Sequence, residues 1–168
     1  EQEKIPIDLI VGTSVGSLFG AFYADTGSVL DAEFLAVSVE EADIFDVGAL
    51  AVFSGGLVKG ERLERFLTAH LKHTVIEEMA VPFAAVATEL RTGRTAVFRR
   101  GAVAPAVHAS CAIPGVFVPV EIGGVTYVDG GVTNPIPADV AREMGAEVVI
   151  AVAIPAAVPP RTPRNPIA

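Results

Sequence analysis

The first residues that could do chemistry are Gly12, Ser14 and Gly16, in the sequence GTSVG. A serine hydroxyl is a poor nucleophile unless a base removes its proton and a rigid turn holds it exposed. The apolar run at residues 5–11 predicts a buried strand before the motif, and apolar residues at helical spacing over 15–24 predict a helix after it. A Gly-x-Ser-x-Gly sequence at a strand-to-helix corner is typical of hydrolases with a serine nucleophile. We therefore predict that Ser14 is a nucleophile.

The corner around Ser14 also offers a place for negative charge. We expect side chains at Gly12 and Gly16 to crowd the tight turn, which explains both glycines. The turn places Ser14 at a helix N-terminus, where free N–H groups and the helix dipole favour negative charge. The backbone N–H of Val15 is therefore the predicted oxyanion donor. The structural alternative is a glycine-rich turn that packs a helix on a strand, because the motif arises by chance in roughly one chain in twenty.

Histidine is the usual base for such a serine, and the chain has three histidines. His70 and His73 come at the end of an amphipathic helix, where we expect solvated side chains. His108 lies in a short predicted helix without an acidic neighbour in the sequence, and no histidine follows it. In α/β-hydrolases the histidine of the triad follows the acid late in the chain. A Ser-His-Asp arrangement through His108 is therefore the weaker alternative.

Asp129 is the stronger candidate for the base. It directly follows an apolar strand and precedes Gly130 and Gly131, so we expect it at a strand end with backbone freedom around it. By itself an Asp-Gly-Gly sequence is more often a structural turn. We prefer a role as base over a structural turn because the same chain also contains the Ser14 corner.

The elements that must position these residues are strands alternating with helices. This order predicts an α/β fold with a mostly parallel central sheet flanked by helices. The predicted strands are 5–11, 83–88, 95–98, 117–122, 125–128 and 147–154, and the predicted helices are 15–24, 31–41, 61–71, 103–111 and 137–144. The glycine-rich segment 43–60 is predicted to be a long loop or lid that faces substrate. Its apolar residues fit an acyl-chain groove and core packing equally well: Phe45, Leu50, Val52, Phe53 and Leu57.

Composition excludes several classes of protein. With 168 residues, 51% hydrophobic and 19% charged, the chain is long and apolar enough for one folded domain. The net charge of −8 disfavours a nucleic-acid partner. Every apolar run is interrupted before about 18 residues, so we expect no transmembrane helix. The start of the chain shows no apolar signal-peptide core, so the expected location is cytoplasmic, with peripheral membrane contact left open.

Four stretches together resemble the patatin-like phospholipases, particularly their bacterial members. They are IPIDLIVGTSVGSLFGAFYA, VPFAAVATELRTGRTAVF, AVHASCAIPGVFVPVEIGG and YVDGGVTNPIPADVAREMGAEVVIAV, in the family's order. The resemblance implies a Ser-Asp dyad without histidine, in which Ser14 accepts the acyl group and Asp129 is its base. It also implies hydrolysis of lipid esters or phospholipids through an acyl-serine, with no metal and no cofactor.

The resemblance further implies a glycine-rich loop with an Arg or Lys, upstream of the serine. A carboxylate is a weak base for a hydroxyl, so the dyad needs strong oxyanion stabilisation from such a loop. The thirteen residues before Ser14 do not contain it. We expect a catalytic domain at 1–154 that lacks this N-terminal loop, followed by an irregular proline-rich tail at 155–168. The alternative of another class is a catalytically impaired domain that binds lipid or regulates.

The remaining polar residues have structural interpretations. Cys111 is the only cysteine, which excludes an internal disulfide, and we interpret it as a packed thiol. Asn134 is expected to fix the loop after Asp129 through local hydrogen bonds. Four arginines near a predicted hairpin are expected to form a solvated face: Arg91, Arg94, Arg99 and Arg100.

Overall fold

The structure, a computed structural model, describes residues 5–39 and 58–154. Five strands lie in these ranges: β1 (Ile10–Thr13), β2 (Phe83–Glu89), β3 (Thr95–Phe98), β4 (Val120–Ile122) and β5 (Val125–Asp129). The α-helices are α1 (Val15–Thr26), α2 (Val29–Ser38), α3 (Glu61–His70), α4 (Val103–Cys111) and α5 (Ala138–Glu143). Two 3₁₀ turns, Ile76–Glu78 and Gly130–Val132, complete the described elements. The α/β class and the strand–corner–helix at Ser14 are confirmed.

Strand β2 is the centre of the sheet. Along one edge it pairs antiparallel with β3. Along the other edge, residues 83–86 pair parallel with β1 and residues 87–89 pair antiparallel with β5. Strands β1 and β5 therefore run toward each other along one edge of β2. Their last residues, Thr13 and Asp129, lie opposite the adjacent residues Val86 and Ala87.

Strand β2 is buried on both faces. Every side chain from Phe83 to Thr88 is buried, which is why this strand has a continuous apolar sequence rather than an alternating one. Helices α1 and α4 both pack against β2 and against each other, and α3 packs on α4. The largest fully buried side chains in this core include Phe22, Leu63 and Leu67. The ends of β1 and β5 are therefore fixed by a rigid strand and two packed helices.

The sheet is less parallel than the sequence predicts. Of the four ladders among the described strands, only β1–β2 is parallel. Two of the antiparallel ladders arise because tight turns connect their strands. The turn at residues 91–94 joins β2 to β3, and Gly123-Gly124, both at positive φ, join β4 to β5.

The predicted strand at 147–154 is wrong. These residues form no ladder with any described strand, and Val148, Ile150, Val152 and Ile154 each expose more than seven-tenths of their surface. An apolar β-branched sequence indicates only that a segment would suit burial in a sheet. A strand also needs a hydrogen-bonding neighbour, which residues 147–154 do not have in the described part of the chain.

Other boundaries differ by a few residues. Strand β1 begins at Ile10 rather than at residue 5, because β2 offers partners only from Phe83 onward. Helix α2 begins at Val29, where Ser28 accepts a hydrogen bond from the Asp31 N–H and caps the helix. The predicted loop at 43–60 and the tail at 155–168 lie almost wholly outside the described residues. Across 5–39 and 58–154, no helix combines the length and apolar character that crossing a membrane requires.

Candidate active site

Ser14 lies at a sharp corner between β1 and α1. Its φ of 55° and ψ of −129° make it the one described non-glycine residue at positive φ. Such a conformation costs on the order of 1–3 kcal/mol and persists only where neighbours hold it. Gly12 permits the corner, since a Cβ there would overlap the Gly16 carbonyl and the Ser17 Cα. The crowding expected at Gly12 is therefore present.

Crowding at Gly16 is not found. A Cβ at this position would meet nothing within 4 Å among the described residues, and Gly16 is exposed. Gly16 lies in the first turn of α1, on its exposed side, two residues after Ser14. The expectation that a side chain at residue 16 would crowd the turn is therefore wrong among the described residues.

The backbone of Ser14 is held on both sides. Its N–H donates to the Ser110 hydroxyl on α4 at 2.9 Å. Its carbonyl accepts from the Ser17 N–H at 2.8 Å, from the Leu18 N–H at 3.3 Å and from the Ser17 hydroxyl at 2.7 Å. The Ser14 corner is thus fixed by α1, which follows it directly, and by α4, whose Ser110 is 96 residues later in the chain.

Asp129 is the last residue of β5 and is 6% exposed. Its backbone N–H donates to the Ala112 carbonyl just after α4, and its own carbonyl accepts from the buried Thr88 hydroxyl on β2. Gly130 is required next, because a Cβ there would overlap the Val86 carbonyl of β2. Asp129 is thereby held against β2 by backbone contacts that do not use its carboxylate.

Asp129, where β5 meets the 3₁₀ turn Gly130–Val132, forms a second corner. The Ser14 corner and the Asp129 corner are joined by a short hydrogen bond. The Ser14 hydroxyl donates to Oδ2 of Asp129 at 2.6 Å. The other carboxylate oxygen, Oδ1, accepts from the Gly131 N–H at 2.6 Å. A Cβ at Gly131 would lie 3.0 Å from this Oδ1, so the absence of a side chain lets the carboxylate keep its orientation. The structure thus brings Ser14, Asp129, Gly130 and Gly131 together by the convergence of β1 and β5 on β2.

The Val15 N–H is the backbone donor that directly follows Ser14 in the chain. Val15 is the first residue of α1 and is 41% exposed. Its N–H belongs to the first turn, where helix donors have no partner within the helix, and no acceptor for it occurs among the described residues. It is therefore available to a negative oxygen forming beside Ser14.

His108 does not contact Ser14. It lies buried on α4, and its Nδ1 is 2.6 Å from Oε1 of Glu64 on α3. Its Nε2 is buried without a hydrogen-bond partner in the described part of the chain. The ring packs edge-on toward Phe117 and against Gly60, where a Cβ would overlap Nε2. The geometry therefore gives no support to a triad through His108.

The contacts of the other two histidines, His70 and His73, are also with residues other than Ser14. His70 is exposed, stacks on Phe66 and contacts the Phe66 carbonyl through Nδ1 at 2.8 Å. His73 is only partly exposed, contrary to the expectation of a solvated side chain. Its N–H and Nδ1 both contact Oδ1 of the buried Asp25, at 2.8 and 2.9 Å, so it ties α1 to the loop after α3.

Cys111 is a packed thiol beside the site. Its sulfur lies 3.8 Å from the Ser17 hydroxyl, and the residue is partly buried. Burial raises the pKa of the Cys111 thiol to about 12, with a smaller contribution from the charge of Asp129. A thiol with such a pKa is protonated at neutral pH and is not a nucleophile there.

The loop after Asp129 is fixed as predicted for Asn134. The Asn134 amide donates to Asp139 at 2.8 Å, and the Asn134 carbonyl accepts from the Thr13 hydroxyl of β1 at 2.8 Å. The same loop is held by Thr133, whose hydroxyl is 2.9 Å from that of Thr88.

The four arginines are exposed, as predicted: Arg91, Arg94, Arg99 and Arg100. Within the described ranges, no three acidic, histidine or cysteine side chains are grouped so as to hold a metal ion.

Sequence reasoning missed Ser110 and Ser17. Both are fully buried serines in helices whose other buried residues are mostly apolar. A hydroxyl in an apolar helix face is a signal that a partner exists, since buried polar groups are paired. It does not say which partner, because α1 and α4 are far apart in the sequence.

The chain matches a family model described as "Patatin-like phospholipase" over residues 1–142. This match covers the Ser14 corner, β2, α4 and the Asp129 corner in a single stretch. The segment 147–154 lies beyond it.

Curated relatives agree with the family model. An "uncharacterized NTE family protein" of Mycobacterium tuberculosis is 30% identical over 145 residues, which are 86% of this chain and 40% of the relative. A second mycobacterial protein with this description, from Mycobacterium bovis, is 35% identical over 144 residues, 83% of this chain and 24% of the relative.

A mammalian protein is also similar. Patatin-like phospholipase domain-containing protein 7 of Rattus norvegicus is 31% identical over 153 residues, 88% of this chain and 11% of the relative. The chain thus spans less than half the length of each of these relatives. The family model covers most of this chain, and its match includes both Ser14 and Asp129. The chain therefore belongs to the patatin-like phospholipase family.

Proposed function

We propose that this chain carries the catalytic centre of a lipid acyl hydrolase that uses a Ser14–Asp129 dyad. The observation that supports this most directly is the 2.6 Å hydrogen bond from the Ser14 hydroxyl to Oδ2 of Asp129. It joins a nucleophile on a strained corner to a buried carboxylate whose second oxygen already has a donor. That arrangement meets the geometric requirement for general-base activation of a hydroxyl.

The acylation step follows from these contacts. The Ser14 oxygen attacks the ester carbonyl carbon while its proton passes to Oδ2 of Asp129. The carbonyl oxygen becomes an oxyanion, which the Val15 N–H and the positive end of α1 stabilise. The tetrahedral species collapses as Asp129 returns the proton to the leaving alcohol, and the acyl group stays on Ser14.

Deacylation repeats the sequence with water. A water molecule attacks the acyl-serine carbonyl and gives its proton to Asp129. The carbon–oxygen bond to Ser14 then breaks, the proton returns to the Ser14 oxygen, and a fatty acid leaves. A carboxylate is a weak base for a hydroxyl, so we expect the rate to depend on oxyanion stabilisation more than on proton transfer.

Apolar side chains near the dyad support a lipid ester as the substrate. Val15 and Phe19 on α1 are 41% and 42% exposed, and they are one and five residues after Ser14. Ile113, next to the Ala112 carbonyl that binds the Asp129 N–H, is 45% exposed, and Val132 is 58% exposed. Exposed apolar groups on both corners suit an acyl chain better than a polar substrate.

The test is covalent labelling with a fluorophosphonate, which reacts with activated serines by losing fluoride. It uses the longest natural form of the protein that contains this chain, because the relatives are longer. We expect one adduct on the Ser14 peptide and none in Ser14→Ala. If the folded wild type is unlabelled and releases no fatty acid from phospholipid or triacylglycerol vesicles, the hydrolase proposal is wrong. Vesicle binding without labelling would instead support a lipid-binding domain.

A further inference from the structure

The two sides of the Ser14 backbone are held very unequally. The carbonyl accepts three hydrogen bonds, two of them from backbone N–H groups of α1 that any sequence would supply. The N–H has one acceptor among the described residues, the hydroxyl oxygen of Ser110. The conformation of Ser14 at φ 55° therefore depends, on its N-terminal side, on one side chain.

The Ser110 hydroxyl is itself fixed. Ser110 is 0% exposed on α4, and its hydroxyl donates to the Val86 carbonyl of β2 at 2.6 Å. A hydroxyl has a single hydrogen, so this donation commits it and turns a lone pair toward the Ser14 N–H. Val86 is the residue of β2 that lies opposite Thr13, directly before Ser14. One oxygen thus links α4, the central strand and the corner.

We propose that Ser110 is a positioning residue for the reaction. It holds the Ser14 peptide in the conformation that directs the hydroxyl to Oδ2 of Asp129 and leaves the Val15 N–H beside the reacting carbonyl. This inference rests on the proposed function, since it concerns the same serine. Ser110 touches neither the substrate nor the proton that moves.

A purely structural role would have a different signature. A serine that only satisfies the Val86 carbonyl would stabilise the fold, and its removal would lower the melting temperature without changing turnover per folded molecule. A positioning residue changes kcat, because a misplacement of about 1 Å at the reacting atoms costs about a hundredfold in rate. It leaves KM nearly unchanged, because substrate binding does not use Ser110.

The experiment compares Ser110→Ala with Ser17→Ala in an ester-hydrolysis assay. Both serines are fully buried and both contact the Ser14 backbone, but only the Ser17 bond is duplicated by backbone donors. We expect Ser110→Ala to lower kcat by about tenfold to a hundredfold with KM within about twofold. Fluorophosphonate labelling of Ser14 should slow by the same factor. Ser17→Ala should lower kcat by less than about threefold.

Two further variants keep the test decisive. Ser110→Cys keeps the volume with a much weaker acceptor, so it should lose kcat even if Ser110→Ala does not fold. Ser110→Thr keeps the hydroxyl and should recover most of the rate. Equal kcat in wild type and a folded Ser110→Cys or Ser110→Ala, with only a lower melting temperature, would overturn the proposal. A wild type that is neither labelled nor active would instead overturn the proposed function.

Discussion

Two regions of this molecule pair a proton-carrying side chain with a carboxylate at the same distance. Ser14 contacts Asp129 at 2.6 Å where β1 and β5 converge, and His108 contacts Glu64 at 2.6 Å between α4 and α3. The two distances are equal, and histidine is the more common general base in enzymes. The two pairs differ in the surroundings of Ser14 and of His108 on the side that faces away from the carboxylate, here called the far side.

The far side of Ser14 is open and the far side of His108 is closed. Ser14 is partly exposed, and within 5–39 and 58–154 the Val15 N–H has no acceptor and a Cβ at Gly16 would meet nothing within 4 Å. The Nε2 of His108 is buried against Gly60, with no room for a reacting group. The proposed mechanism needs access for the substrate and a place for developing charge, in addition to a short hydrogen bond, and of the two pairs the Ser14–Asp129 pair is the one that we propose meets these needs. Damage to the closed pair should cost stability, and damage to the open pair should cost turnover.

The largest stability effect is expected from Gly60→Ala. Gly60 has φ +74°, and the added Cβ would overlap Nε2 of the buried His108. The left-handed backbone and the overpacking together should destabilise the fold by about 3 kcal/mol. Urea unfolding measures this, and the added change His108→Ala should remove part of the cost. A cost below about 1 kcal/mol would show that the region is not closed.

A smaller loss of stability is expected from His108→Ala alone. The change leaves a cavity and deprives Glu64 of its partner, which should cost about 2 kcal/mol because Glu64 itself remains partly solvated. Turnover per folded molecule should stay within about threefold of wild type. A collapse of turnover in a folded variant would make His108 the base and revive the triad.

The sequence predicts the two corners but not why they meet. The motifs around Ser14 and Asp129 are local, so glycine spacing and the flanking elements reveal them. Their contact depends on a parallel and an antiparallel ladder along one edge of β2, which no local pattern encodes. The Glu64–His108 pair and the Ser110 contact join residues 44 and 96 positions apart, and both escape sequence reasoning for that reason. For residues 147–154 the opposite holds: the local apolar pattern predicts a strand, but the described residues contain no strand that pairs with it.

The smallest of these effects is expected from Gly131→Ala, at the open pair. The added Cβ would lie 3.0 Å from Oδ1 of Asp129, so this oxygen must shift by a few tenths of an ångström. This should lower kcat by about tenfold, with the folded state little changed, since Gly131 is exposed at negative φ. Unchanged kcat would show that turnover tolerates this displacement of the Asp129 carboxylate.

The most direct test replaces the carboxylate of each pair by its amide. Asp129→Asn and Glu64→Gln are matched changes that keep shape and remove the ability to take a proton. In the full-length protein, with ester hydrolysis measured per folded molecule, Asp129→Asn should lower kcat by about 10²–10⁴-fold. Glu64→Gln should leave kcat within about threefold of wild type. Full activity in Asp129→Asn, or loss of activity only in Glu64→Gln, would contradict the Ser14–Asp129 dyad.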